Sequence, residues 1–65
     1  MTIKNLFEIC ENLQNIDDVM LYDSVEDFDN ATSNWKSCNA DSIKHSDIKI
    51  GKFRIYNGFV AIAMA

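Results

Sequence analysis

Proline is absent from this 65-residue chain, and Gly51 and Gly58 are its only glycines. A Gly-rich loop that cradles phosphate cannot be assembled from two isolated glycines, and no Pro-rich or Gly-rich linker divides the chain. Cys10, Cys38 and His45 are the only soft metal ligands. No CxxC, CxxH or HxxxH spacing joins them, so no structural zinc site is predicted. Asp23, Glu26, Asp27, Asp29 and Asn30 offer hard oxygen ligands close together, but the Asp-x-Asp-x-Asp-Gly loop and distal Glu of a calcium hand are missing. A lone histidine between Lys44 and Ser46, with no local signature of a nucleophile, predicts no enzyme and no cofactor.

Long apolar runs are missing too. The longest, Phe59–Ala65, is far too short to cross a bilayer. The opening Met1-Thr2-Ile3-Lys4-Asn5 has no signal-peptide character. The expectation is a soluble, cytoplasmic protein without membrane contact. Its two cysteines are then free, partly buried thiols of a reducing compartment. The length allows one domain with a small core.

What the chain has in quantity is acid, unevenly placed. Residues 1–35 hold eight acids and a single base, Lys4, whereas residues 36–65 hold five bases and two acids. Six of the ten acids lie between Asp17 and Asp29. Asymmetry of this kind points to an interaction surface, or to two halves that neutralise each other on folding.

The strongest local signal is Asn57-Gly58 between two β-prone runs, which predicts a hairpin with a type I′ turn. With that turn Tyr56 faces Phe59, Ile55 faces Val60, Arg54 faces Ala61 and Phe53 faces Ile62. Phe53, Ile55, Val60, Ile62 and Met64 then share one apolar face, expected to be buried against the N-terminal helix. Lys52, Arg54, Tyr56, Phe59, Ala61 and Ala63 share the other, expected to be exposed. Upstream, Thr2 is a good N-cap, and Ile3, Leu6, Phe7, Cys10 and Leu13 form one stripe of a helix expected to end near Asn15. Val19-Met20-Leu21-Tyr22 is apolar on both parities, as an inner strand would be. Ser24-Val25-Glu26-Asp27 reads as a short helix start or an ordered loop. A second strand is predicted over residues 31–38 with Trp35 as its anchor, and one helical turn from Ser42. The fold class is α+β: a single N-terminal amphipathic helix packed on a small, mostly antiparallel β-sheet that ends in the Asn-Gly hairpin.

Lys52, Arg54, Tyr56 and Phe59 superficially suit base stacking beside positive charge, but the net charge of −4 opposes a polyanion. Direct nucleic-acid binding is therefore not expected, and Tyr56 with Phe59 reads as a cross-strand aromatic pair that shields the turn. Protein binding remains. Its candidate residues are the acids Asp17, Asp18, Asp23, Glu26, Asp27 and Asp29, with the aromatics Tyr22, Phe28 and Trp35 as exposed anchors. The Lys52, Arg54, Tyr56 and Phe59 face of the hairpin is a further exposed candidate. Acids around a few aromatics suit a basic groove, because complementary fields speed encounter and aromatics supply the buried energy.

Met1-Thr2-Ile3-Lys4-Asn5-Leu6-Phe7 at the start, Asn39-Ala40-Asp41-Ser42-Ile43 in the middle and Ile55-Tyr56-Asn57-Gly58-Phe59-Val60 near the end carry a further likeness. In size, acidity and layout the chain resembles small accessory proteins of phages and mobile elements in low-GC Gram-positive bacteria, anti-CRISPR proteins among them. The resemblance implies a non-enzymatic inhibitor that occupies a basic nucleic-acid-binding site on a larger host protein, and it carries over no functional residue. Two rivals of other classes are a small-molecule-binding or sequestering oligomer, a homodimer in its simplest form, and an assembly protein that pairs through an open sheet edge.

Overall fold

Capping sets the first element. The Thr2 side chain accepts from the Asn5 N–H (3.2 Å), and the Asn5 side chain accepts in return from the Thr2 N–H (3.1 Å). The computed structural model describes all 65 residues, and in it helix α1 spans Ile3–Ile9. It does not run on to Asn15 as the stripe predicts. The backbone becomes extended at Cys10 and resumes as a 3-10 helix over Glu11–Asn15. The break keeps Leu13 and Ile16 turned into the core. One carbonyl it leaves open, that of Phe7, is met by the Gln14 side-chain amide at 3.3 Å.

Strand β1 (Asp18–Tyr22) follows, then α2 (Val25–Asn30), β2 (Trp35–Asn39), α3 (Ala40–Ile43), β3 (Ile50–Ile55) and β4 (Phe59–Met64). The expected start at Ser24 is present: its hydroxyl accepts from the Asp27 N–H at 3.1 Å. The helical turn expected from Ser42 begins earlier, at Ala40, because the Asn39 side chain accepts from the Asp41 N–H at 2.8 Å and caps it there. The second strand likewise starts at Trp35 rather than at residue 31.

The four strands lie in the order β2-β1-β4-β3, with β1 and β4 parallel and the two outer pairings antiparallel. The hairpin register matches the expectation, with Phe53 opposite Ile62, Arg54 opposite Ala61 and Ile55 opposite Val60. Its turn differs. Gly58 has φ of +96°, but Asn57 has negative φ, so left-handed backbone falls on the glycine alone. That pattern excludes type I′, which needs positive φ at both central residues, and it spares Asn57 the left-handed conformation. Near its start β3 carries an irregularity between Ile50 and Lys52. A Cβ on the intervening Gly51 would overlap Val25 Cγ2, so α2 packs directly onto that glycine.

Both faces of the sheet are used. On one, α1 and the 3-10 helix bury Ile3, Leu6, Phe7, Leu13 and Ile16 against Val19, Leu21, Val60 and Ile62. On the other, α2 brings Val25 and Phe28 onto Tyr22, Ala61 and Ala63. Two expectations are corrected by this arrangement. Phe53 and Ile55 are not buried beneath the helix but 41% and 37% exposed, because β3 is an edge strand that α1 does not reach across. Ala61 and Ala63 are not on an open face: β4 is central, α2 lies over it, and both are buried.

Candidate functional site: an aromatic sheet face

Helix α2 has six residues and is about 9 Å long, shorter than the strands beneath it, which rise about 3.3 Å per residue. It covers the Tyr22, Ala61 and Ala63 end of the sheet and leaves the rest of that face open. Strand alternation places Met20 on β1, Trp35 and Ser37 on β2, Arg54 on β3, and Tyr56 with Phe59 beside the turn on this same side. Two adjoining hollows form there. One, of about 420 Å³, lies between α2 and the hairpin and is lined chiefly by Met20, Tyr22, Phe28, Asp29, Arg54, Tyr56 and Phe59. The other, of about 400 Å³, is lined by Asp18, Met20, Trp35, Ser37, Asn57 and Phe59 among others. Met20 and Phe59 are the wall they share.

The aromatic groups hold one another in place. Tyr56 and Phe59 stack with centroids 4.6 Å apart and planes 10° from parallel, the pair expected to shield the turn. Tyr22 stands edge-on to Phe28 at 5.5 Å and tilted against Trp35 at 6.4 Å. Offset and edge-on contacts of this kind contribute about 0.5–1.5 kcal/mol each beyond area burial. Trp35 and Tyr56 remain 41% and 42% exposed.

The acids expected to form one surface are divided. Asp17 and Asp18 lie at the start of β1 and Asp23 just past its end, about 20 Å of strand between the first and the last. Asp18 and Asp29 line the open face. Asp17 instead borders a hollow of about 270 Å³ with Glu8, Asp41, Lys44 and His45. Asp23 and Glu26 are exposed.

Asp27 is occupied internally. Its carboxylate accepts from the Ser24 hydroxyl (2.9 Å), the Thr32 hydroxyl (2.9 Å) and the Asn34 amide (3.1 Å). These hydrogen bonds, Asn34 foremost, hold its pKa below the ordinary 3.8. Asp29 pairs with Lys52 at 2.7 Å, an ion pair between the acidic and the basic half of the chain. The aromatic anchors are corrected as well: Trp35 is exposed, but Tyr22 is buried and Phe28 half-buried, because both hold α2 to the sheet.

Met20, Arg54, Tyr56 and Phe59 complete the face; the last three belong to the candidate hairpin face, and Met20 alone was not expected there. Hairpin parity puts Arg54, Tyr56 and Phe59 on one side, whereas Met20 joins them only through the parallel β1–β4 register. Elsewhere, Cys10 and Cys38 are unlinked and pack at the edge of the α1-side core. No group of three His, Cys, Asp or Glu side chains is placed to hold a metal ion. No helix is long and apolar enough to cross a membrane. No protein-family model, curated protein or solved structure matches the chain.

Proposed function

We propose that this chain is a non-enzymatic binding protein that docks the open sheet face onto a larger host protein and blocks a basic, nucleic-acid-binding site there. The observation that carries the reading is the surface formed by exposed Trp35 and Tyr56 with half-buried Met20 and Phe59 between them, and with Asp18 and Asp29 among its lining residues. Trp, Tyr and Met are the residue types that concentrate at interface cores. Trp and Tyr side chains, with two rotatable bonds each, also lose little side-chain entropy on docking. The acids nearby and the net charge of −4 favour a partner of opposite sign and a fast, salt-sensitive encounter. The likeness in size, acidity and layout to phage and mobile-element accessory proteins fits an anti-CRISPR or other anti-defence inhibitor acting in the host cytoplasm.

The test is retention of host proteins on the immobilised chain, compared among three forms: unaltered, Trp35→Ala with Tyr56→Ala, and Asp18→Asn with Asp29→Asn. The specific partner should be lost with the aromatic pair removed, each truncation weakening binding about thirtyfold or more. The amide form should associate more slowly, and added nucleic acid should displace the partner. A partner held equally by all three forms overturns the assignment of this face.

A further inference from the structure

The outer edge of β3 is a different border of the sheet from the open face, although Arg54 lines both. Its backbone groups can be followed from the ends inward. The Tyr56 N–H turns toward β4 and donates to the Phe59 carbonyl at 2.9 Å. Strand alternation then turns the N–H and C=O groups of Ile55 and Phe53 outward. No turn, loop or cap hydrogen bond reaches these two residues, and β3 has no neighbour on that side.

The same edge is occupied a few residues earlier. Ile50 donates to the Met1 carbonyl at 2.9 Å, Ile3 donates to the Ile48 carbonyl at 3.0 Å, and Thr2 bridges antiparallel to Lys49. The chain's own first residues thus pair with this border, then leave it as α1 begins at Ile3. Beyond the Gly51 irregularity the border stays open.

Charge says what fits there. On the α1 side the open stretch shows Phe53 and Ile55, 41% and 37% exposed. On the α2 side it shows Lys52 and Arg54. Asp29 engages Lys52 at 2.7 Å, while Arg54 has no ion-pair partner.

A second copy of this chain is a poor occupant. A two-fold axis through Lys52, Phe53 or Arg54 sets Lys52 opposite Lys52, Lys52 opposite Arg54, or Arg54 opposite Arg54, and like charges directly opposite one another destabilise a strand pair. An axis through Ile55 runs the pairing into the turn at Asn57. The geometry points to a foreign extended segment of alternating acidic and apolar residues, added as a fifth strand. Its backbone meets Phe53 and Ile55, its apolar side chains cover those two residues, and its carboxylates face Arg54 and Lys52.

Two five-residue probes with blocked ends test this, Glu-Val-Glu-Val-Glu and Lys-Val-Lys-Val-Lys, read by amide exchange and chemical shifts of the 15N-labelled protein. The glutamate peptide should protect the Phe53 and Ile55 amides and bind at least about tenfold more tightly than the lysine peptide, since Arg–carboxylate bonds are the strong ones. Arg54→Glu should reverse that order. A glutamate peptide N-methylated at its outward-bonding amides should lose binding to the unaltered protein, a control that needs no variant to fold. Equal binding of the two peptides, binding that survives N-methylation, or Phe53 and Ile55 amides already protected in a homodimer would each overturn the proposal.

Discussion

Ile62 and Phe53 face one another across β4 and β3, yet truncating them should have unequal effects. Ile62 is fully buried, on a central strand, between β1 and the α1 layer. Ile62→Ala removes packed methylenes and leaves a cavity, at a cost of about 2–5 kcal/mol. Phe53 keeps 41% of its surface in water on an open border, so Phe53→Ala gives up only part of its transfer energy and can leave no enclosed void. Its cost should stay near 1–2 kcal/mol, from about 25 cal/mol per Å² of the area that it does bury. A domain of this length has on the order of 3–10 kcal/mol in all, so the first change consumes much of the stability and the second does not. In urea, with a slope of about 1 kcal/mol/M for so small a protein, the midpoints should fall by roughly 3 M and 1 M. Ile62→Val, expected at about 0.5–1.5 kcal/mol, keeps the comparison readable if Ile62→Ala does not fold. If Phe53→Ala proved as costly as Ile62→Ala, β3 would lie beneath the helix and the edge described here would not exist.

Two further predictions concern α2. The Asp27 carboxylate titrates below its ordinary value in the folded chain, so its contribution is present above the unfolded pKa and is lost as pH falls through the folded one. Asp27→Asn should lower the melting temperature at neutral pH, and thermal scans should show the gap to the unaltered protein closing below about pH 4; a gap that is constant with pH would show that charge plays no part. Gly51→Ala should destabilise by about 1–3 kcal/mol through overlap with Val25 Cγ2. Most of that loss should disappear in a Val25→Ala background, a coupling that a double-mutant cycle in urea measures directly.

Legibility in the sequence followed the range of the signal. Thr2 and Ser24 declare their helices because a cap is satisfied within three residues, and Asn57-Gly58 set the hairpin register by parity alone. The apolar character of β1 on both parities correctly marked an inner strand. The parallel pairing of β1 with β4 left no local mark, and from it follow both misplaced expectations. A central β4 buries Ala61 and Ala63, which read equally well as a polar-side filler, and pushes Phe53 and Ile55 to the border. The break at Cys10 carries no glycine or proline to announce it. Of the candidate site, Trp35, Asp18 and Asp29 were found from composition. Arg54, Tyr56 and Phe59 were legible as one side of the hairpin, but Met20 joins them only through the β1–β4 pairing, and the openness of the face depends on α2 ending at Asn30.

The β1–β4 pairing also bears on how the chain reaches its fold. Each partner pair across it is separated by 41 residues, about two thirds of the sequence, whereas β3 and β4 meet through a tight turn. A hairpin forms in about 1–10 μs, but joining it to β1 requires closing the long intervening segment before any contact rewards the lost entropy. The docking of β1 alongside the β3–β4 hairpin is therefore expected to be the slow event, because α1 has no complete surface to pack on without it. Truncating Val19, Leu21, Val60 or Ile62, the side chains that meet at this junction, should therefore slow refolding, which stopped-flow kinetics would read.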